Sequence, residues 1–172
     1  NPKVNAMLAL HVFPEFEVGY VGFRSGQYMA ACDELSVSII GKGGHAALPG
    51  RVINPITIAS EMIIHLKKKV LEVSKGKKYV LEFGDFHAYG ASNVIPEKAH
   101  LKGTLRTLDK ELREQLHSVL VDEANAIAKK HFATCKFNLK KGYPALLNNV
   151  ELTDNCKKIS RTFLDKNYVK DL

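Results

Sequence analysis

ELSVSIIGKGGHAALPG, residues 34–50, joins two patterns end to end. In the first half, Leu35, Val37 and Ile39 alternate with Ser36 and Ser38. That period of two predicts a strand with one covered face and one open face. In the second half, glycines and a proline surround one imidazole, His45. Just downstream, Asn54-Pro55 supplies a helix N-cap with proline at the first helical position. Ala59, Met62, Ile63, Leu66, Val70 and Val73 then recur at helical spacing.

The same two periods continue outward. Residues 79–87 predict a second strand. The stretch from Val94 to Arg106 predicts a third, with Ala99, Leu101, Gly103 and Leu105 on one face. Thr107 or Asp109 caps the next helix, whose apolar stripe is Leu112, Leu116, Val119, Leu120, Ala124 and Ile127. A fourth strand over 134–141 sets Cys135, Phe137 and Leu139 against Lys136, Asn138 and Lys140. From 33 to 142 the order is therefore β-α-β-β-α-β. This is the ferredoxin-like arrangement of the α+β class: a four-stranded antiparallel sheet with two helices on one face. Upstream, AMLALHVF (6–13) reads as a buried strand and VGYVGFR (18–24) as a second short one. Residues 1–32 and 143–172 fall outside the β-α-β-β-α-β unit and read as edges of a second domain into which it is inserted.

Composition bounds the class. The chain has 172 residues, of which 45% are hydrophobic and 25% charged, as in a soluble globular protein. No apolar run approaches the ~20 residues of a membrane span. The chain starts without methionine and enters a strand-like run almost at once, so a piece of a longer chain is expected. Cys32, Cys135 and Cys156 are odd in number and lack CxxC spacing, which predicts a reducing, cytoplasmic setting without a disulfide framework. The net charge of +7 comes mainly from lysine clusters, among them Lys67 to Lys69 and Lys75, Lys77 and Lys78. Solvated helix ends explain them more simply than nucleic acid does.

Four residues stand out for chemistry. His11 ends the first apolar run, a placement suited to a metal ligand or to a satisfied histidine at a core's rim. One imidazole makes no metal site, and HExxH is absent, so partner ligands would have to come from elsewhere. His45 stands on a loop whose glycines allow close approach to a ligand; the plainer alternative is a turn histidine. The run GKGG is not a P-loop, because it lacks GxxxxGK[ST]. Asn93 and Arg106 sit near opposite ends of the third strand, where an amide could hold a carbonyl and a guanidinium could clamp a carboxylate.

Taken together, LHVFP, GKGGHAALP, the Asn-Pro helix start and SNVIPEKAHLKGTLRT resemble the metal-dependent amidohydrolases of the M20 peptidase family. The branch that hydrolyses N-acyl amino acids, including hippurate and indoleacetyl-amino acids, is the most similar. The resemblance covers residues 7 to 144. It implies an α/β catalytic domain with two divalent metal ions, zinc or manganese. It also implies an inserted ferredoxin-like lid, residues 33–142, through which a homodimer forms. Residues 1–32 and 143–172 then match the catalytic-domain chain on either side.

By the same resemblance, His11 is a metal ligand. His45 reaches into the partner's site and polarises the scissile carbonyl. Asn93 helps hold the substrate, an N-acyl amino acid, and Arg106 binds its free carboxylate. The family's HxC ligands, catalytic glutamate and last histidine ligand have no counterpart here, so this chain alone is expected to be inactive and to bind no metal tightly. Asn54 stands where many relatives have aspartate, and Tyr89-Gly90 replaces a more glycine-rich stretch. The alternatives are a non-catalytic dimerisation module and, less favoured, an RNA-binding sheet, which calls for outward aromatics that the alternating strands do not supply.

Overall fold

The structure is a computed structural model that describes residues 3–172. In chain order its elements are β1 (Val21–Phe23), β2 (Gly26–Gln27), β3 (Ala31–Ile40), β4 (Gly44–His45), α1 (Pro55–Ser74), β5 (Tyr79–His87), β6 (Val94–Ile95), β7 (Lys98–Thr107), α2 (Lys110–Lys130), β8 (Thr134–Lys140), β9 (Leu147–Asn148), α3 (Val150–Phe163) and β10 (Val169–Asp171). The chain divides into two compact units. One is Gln27–Leu146; the other combines the residues up to Gly26 with Leu147–Leu172.

In the Gln27–Leu146 unit, one antiparallel sheet has the strand order β5-β7-β3-β8. Leu35, Val37 and Ile39 of β3 and Ala99, Leu101 and Leu105 of β7 point inward and are fully buried. Against them pack Ala59, Met62, Leu66 and Val70 of α1 and Leu116, Leu120 and Ala124 of α2. Each Leu, Ile, Val or Met among them contributes about 1.5–3 kcal/mol by leaving water. Both helices start where their caps dictate. Asn54 Oδ1 accepts the Ile56 N–H at 2.9 Å, and Asp109 Oδ1 accepts the Leu112 N–H at 2.7 Å. The α+β expectation, with four antiparallel strands and two helices on one face, holds.

Three details differ from the sequence reading. The third strand is broken: β6 is a two-residue strand, and β7 begins only after Pro96-Glu97. Proline has no N–H to give a ladder, so the run cannot continue through it. Within β5 a bulge falls between Phe83 and Asp85, which pair with Gly103 and Lys102. It turns Asp85 and His87 to the open face.

The third difference is in the other unit. AMLALHVF forms no strand; Met7 is 80% exposed, Leu10 96% and Val12 81%. A strand is stable only with neighbours to take its hydrogen bonds and cover its side chains, and none pairs with this run among the described residues. The strand expected over 18–24 is shorter, β1, and pairs in parallel with β10. Beside it, Phe13, Phe16, Tyr20 and Tyr168 form a chain of ring contacts with centroids 5.0 to 6.1 Å apart. Helix α3 is capped by Asn149 and has no buried side chain.

Candidate functional site

The glycines around His45 do not make a floppy loop. Gly41 N–H donates to Glu97 O, and Lys42 and Ile53 exchange both backbone bonds at 2.9 Å. A Cβ at Gly41 would collide with the Ile53 carbonyl, and one at Gly43 would lie 2.7 Å from Ile95 O. Glycine is needed here for close backbone approach. The result is a narrow ribbon beyond the end of the sheet, in which Gly44 pairs with Ile95 and His45 with Val94.

This ribbon brings two of the predicted residues together. Ala46 N–H donates to the Asn93 carbonyl at 2.9 Å, so His45 and Asn93 are next to each other across a paired strand. Both are exposed. His45 Nδ1 accepts the Ala47 N–H at 3.1 Å. That engages the Nδ1 lone pair, so the neutral ring carries its proton on Nε2. Nε2–H has no partner among the described residues and is a ready donor. A donor of this kind suits an oxygen on which negative charge develops.

Arg106 is not at this place. It lies near the far end of β7, opposite Cys32 of β3 and Val80 of β5, and it is exposed. From Lys98, at the ribbon end of β7, the eight intervening steps span about 27 Å. One copy of this unit cannot place His45, Asn93 and Arg106 around one small substrate. His11 belongs to the other compact unit. It is exposed, with Nδ1 2.6 Å from Val12 O, and no group of three His, Cys, Asp or Glu side chains suited to a metal occurs among the described residues. The residues present therefore do not build the expected two-metal centre, and no chemical step here is routed through a metal.

The sequence reading missed a buried polar cluster at the Arg106 end. Asp33 sits on the inward face of β3 and is 1% exposed. Arg113 of α2 binds both its oxygens, His117 Nε2 meets Oδ2 at 2.6 Å, and Gly142 N–H donates to Oδ1 at 3.0 Å. Burial alone would raise the Asp33 pKa, but the bonds from Arg113, His117 and Gly142 outweigh it and bring the carboxyl down to about 2. Arg113 also donates to Gly142 O at 3.0 Å. A charge at an inward position of an otherwise apolar alternation was the available signal. The three cysteines are free, and burial pushes the Cys135 thiol up to about 11, which leaves it unreactive.

Comparison with known proteins fits this geometry. Residues 32–131 match the family model for the M20 peptidase dimerisation domain. The chain is 34% identical over 151 residues to N-acetyl-L-cysteine deacetylase of Bacillus subtilis, covering 87% of this chain and 36% of that protein. It is 36% identical over 150 residues to N-acetyldiaminopimelate deacetylase of Enterococcus faecalis, covering 86% and 39%. Among solved structures it superposes on the Bacillus subtilis YXEP protein, described as a dinuclear metal-binding peptidase of the M20 family. That match has a TM-score of 0.67 at 25% identity and covers 93% of this chain and 38% of the other. The chain thus spans well under half the length of the relatives it matches. It belongs to the M20 peptidase family and carries that family's dimerisation domain.

Proposed function

We propose that this chain is the lid and dimer-forming part of an amidohydrolase that cleaves N-acyl amino acids, and that its active site is shared between two copies. The observation that carries the reading is the separation of His45 and Asn93 from Arg106 along β7. Two-fold pairing of β5 with β5 of a second copy would run the strands antiparallel. The ribbon end of one copy would then adjoin the Arg106 end of the other. Arg106 is on β7, the strand next to that edge. The flank of α1 beside β5 supports the same surface: Lys67 of α1 binds Glu82 of β5 at 2.7 Å, and Ile64 and Leu71 on that helix are 72% and 63% exposed.

In this reading Arg106 of one subunit holds the substrate's free carboxylate by a bidentate pair. Asn93 and His45 of the other subunit meet the amide. The His45 Nε2–H donates to the carbonyl oxygen as the tetrahedral intermediate forms. Nucleophile, general base and metal ions belong to the rest of the enzyme. The binding of N-acyl amino acids accords with the names of the deacetylase relatives.

A non-catalytic dimerisation module is the second reading, favoured by the lack of a metal-ligand group among the described residues. RNA binding has little support, since Ser36, Ser38, Lys102, Lys136 and Asn138 on the open face carry no aromatic ring.

The test uses the full-length enzyme. His45→Ala should lower kcat by about 10²–10³, the usual cost of one oxyanion donor. Inactive His45→Ala and Arg106→Ala chains, co-expressed at equal levels, should recover about a quarter of native activity, because half the dimers are hybrids with one intact site. Near-normal turnover of His45→Ala would favour the non-catalytic module. Co-expressed chains that stay inactive would refute the shared site.

A further inference from the structure

Tyr89 is fixed although nothing buries it. It is 83% exposed, yet its ring stacks on His87 with centroids 5.8 Å apart and planes 11° from parallel. Its hydroxyl lies 3.4 Å from His87 Nδ1. His87 is itself held, with Nε2 2.5 Å from Asp85 Oδ1. With Nε2–H donating to that carboxylate, Nδ1 is left to accept from the tyrosine hydroxyl. The other Asp85 oxygen is 3.7 Å from Lys102 Nζ.

This brace depends on the bulge in β5. Leu81 and Phe83 pair with Leu105 and Gly103 on the inward face, and unbroken alternation would put residues 85 and 87 there too. The extra residue, Gly84, shifts the register so that Asp85 faces Lys102 and His87 faces His100 on the open side. A bulge, an ion pair and a stack thus converge on an exposed ring. Such a ring gains little folding energy from its position, so a folding role does not explain the construction.

The ring is also fixed relative to Asn93. It precedes Asn93 by four residues, at most about 14 Å of chain. Between them the backbone is a closed turn, in which Ala91 N–H donates to Val94 O at 3.0 Å and Val94 N–H to Ala91 O at 3.1 Å. A Cβ at Gly90 would lie 2.5 Å from Val94 O, which pins that turn against the ribbon. Val94 in turn pairs with His45.

We infer that Tyr89, braced by His87 and Asp85, forms a wall of the acyl-binding side of the site and selects flat or bulky apolar acyl groups over small ones. The inference rests on the shared-site reading. In that reading Arg106 takes the amino-acid end of the substrate from the opposite copy. The His45 and Asn93 end meets the carbonyl, and the group attached to that carbonyl is the acyl substituent. One face of the Tyr89 ring is covered by His87; the other is open for stacking. A ring contact of this kind discriminates by up to about tenfold.

The test is kinetic, on the full-length enzyme, with N-acetyl and N-benzoyl derivatives of one amino acid. In Tyr89→Ala the ratio of kcat/KM for benzoyl over acetyl should fall about tenfold, chiefly through KM. Tyr89→Phe should keep most of the ratio. His87→Ala should fall between, because the ring remains but loses its brace. Equal effects of Tyr89→Ala on both substrates would overturn the inference, as would a wild-type enzyme that takes the acetyl and rejects the benzoyl derivative. His45→Ala separates the two levels. If that variant retains turnover, the shared-site reading fails; if it is inactive and Tyr89→Ala leaves the ratio unmoved, only the inference about Tyr89 fails.

Discussion

The two ends of the four-stranded sheet use their polar groups in opposite ways. At the ribbon end, His45, Asn93 and Tyr89 are exposed; backbone pairing holds the first two, and stacking on His87 holds the third. At the other end, Asp33, Arg113 and His117 face inward, and the guanidinium and the His117 Nε2 both bond the Asp33 carboxylate beneath the sheet. A donor left without a partner at an exposed end costs little, because water serves it. The same donor buried alone would cost about 1–3 kcal/mol or more. The ribbon can therefore offer an unpaired Nε2–H to a substrate, while the opposite end pairs the Asp33 carboxylate on both oxygens and leaves only His117 Nδ1 and Thr107 Oγ1 without a partner among the described residues. The inward end ties β3, α2 and the segment that follows β8, at Gly142, into one piece. The exposed side chains of the ribbon end can change one by one without unfolding the unit, whereas Gly41, Gly43 and Gly90 have to stay.

The largest expected effect tests that asymmetry directly. Asp33→Ala would leave the Arg113 guanidinium buried without its carboxylate. Removing one partner of a buried pair typically destabilises by about 3–5 kcal/mol. His45→Ala should change stability by less than about 0.5 kcal/mol, as an exposed substitution does. Urea unfolding of the full-length enzyme, followed by a probe in the lid, measures both. Comparable losses in the two variants would end the contrast.

Acid should act on the inward end through Asp33. The folded Asp33 carboxyl titrates near 2, below its ordinary 3.8. The stability it contributes is complete above pH ~4 and is lost as the pH falls from there through about 2; the difference corresponds to about 2 kcal/mol. Two carboxylates across the α1–α2 seam add to the trend. Glu61 is lowered by Lys130 and then His131, and Glu123 by His65 and then Lys69. In Asp33→Asn the drop in stability between pH 5 and pH 2.5 should shrink by about 2 kcal/mol relative to wild type. An unchanged drop would remove Asp33 from the acid response.

Much of this architecture was legible in the chain. Leu35, Val37 and Ile39 announce β3 because a period of two has only one covered face, and the Met62, Leu66, Val70 stripe announces α1 for the equivalent helical reason. The adjacency of His45 and Asn93 was not legible from spacing, since it arises from pairing between residues far apart in sequence. Asp33 was hidden because an acidic residue at a strand start reads as a solvated end until its partners on α2 are known. The bulge at Gly84 was hidden because one extra residue in a strand of nine leaves a readable alternation on both sides of it. The apolar run 6–13 failed as a strand for a different reason. Hydrophobicity states a demand for cover, and the described residues contain nothing that meets it.

The smallest effect probes how the ribbon is tied to the core. Ile53 exchanges backbone bonds with Lys42 of the ribbon's base, and Asn54, the next residue, caps α1. Asn54→Ala removes the acceptor for the Ile56 N–H and should cost about 1 kcal/mol. Asn54→Asp should restore that stability or exceed it slightly, since a carboxylate accepts the same bond and its charge favours the helix N-terminus. If the cap only stabilises α1, both variants keep native kcat at a temperature where they stay folded. If it also seats the ribbon, kcat falls in Asn54→Ala and returns in Asn54→Asp. Thermal unfolding and turnover measured on the same two variants decide between these outcomes. A stability loss without any kinetic change would mean that the backbone pairs at Lys42 and Gly41 hold His45 in place without help from the helix cap.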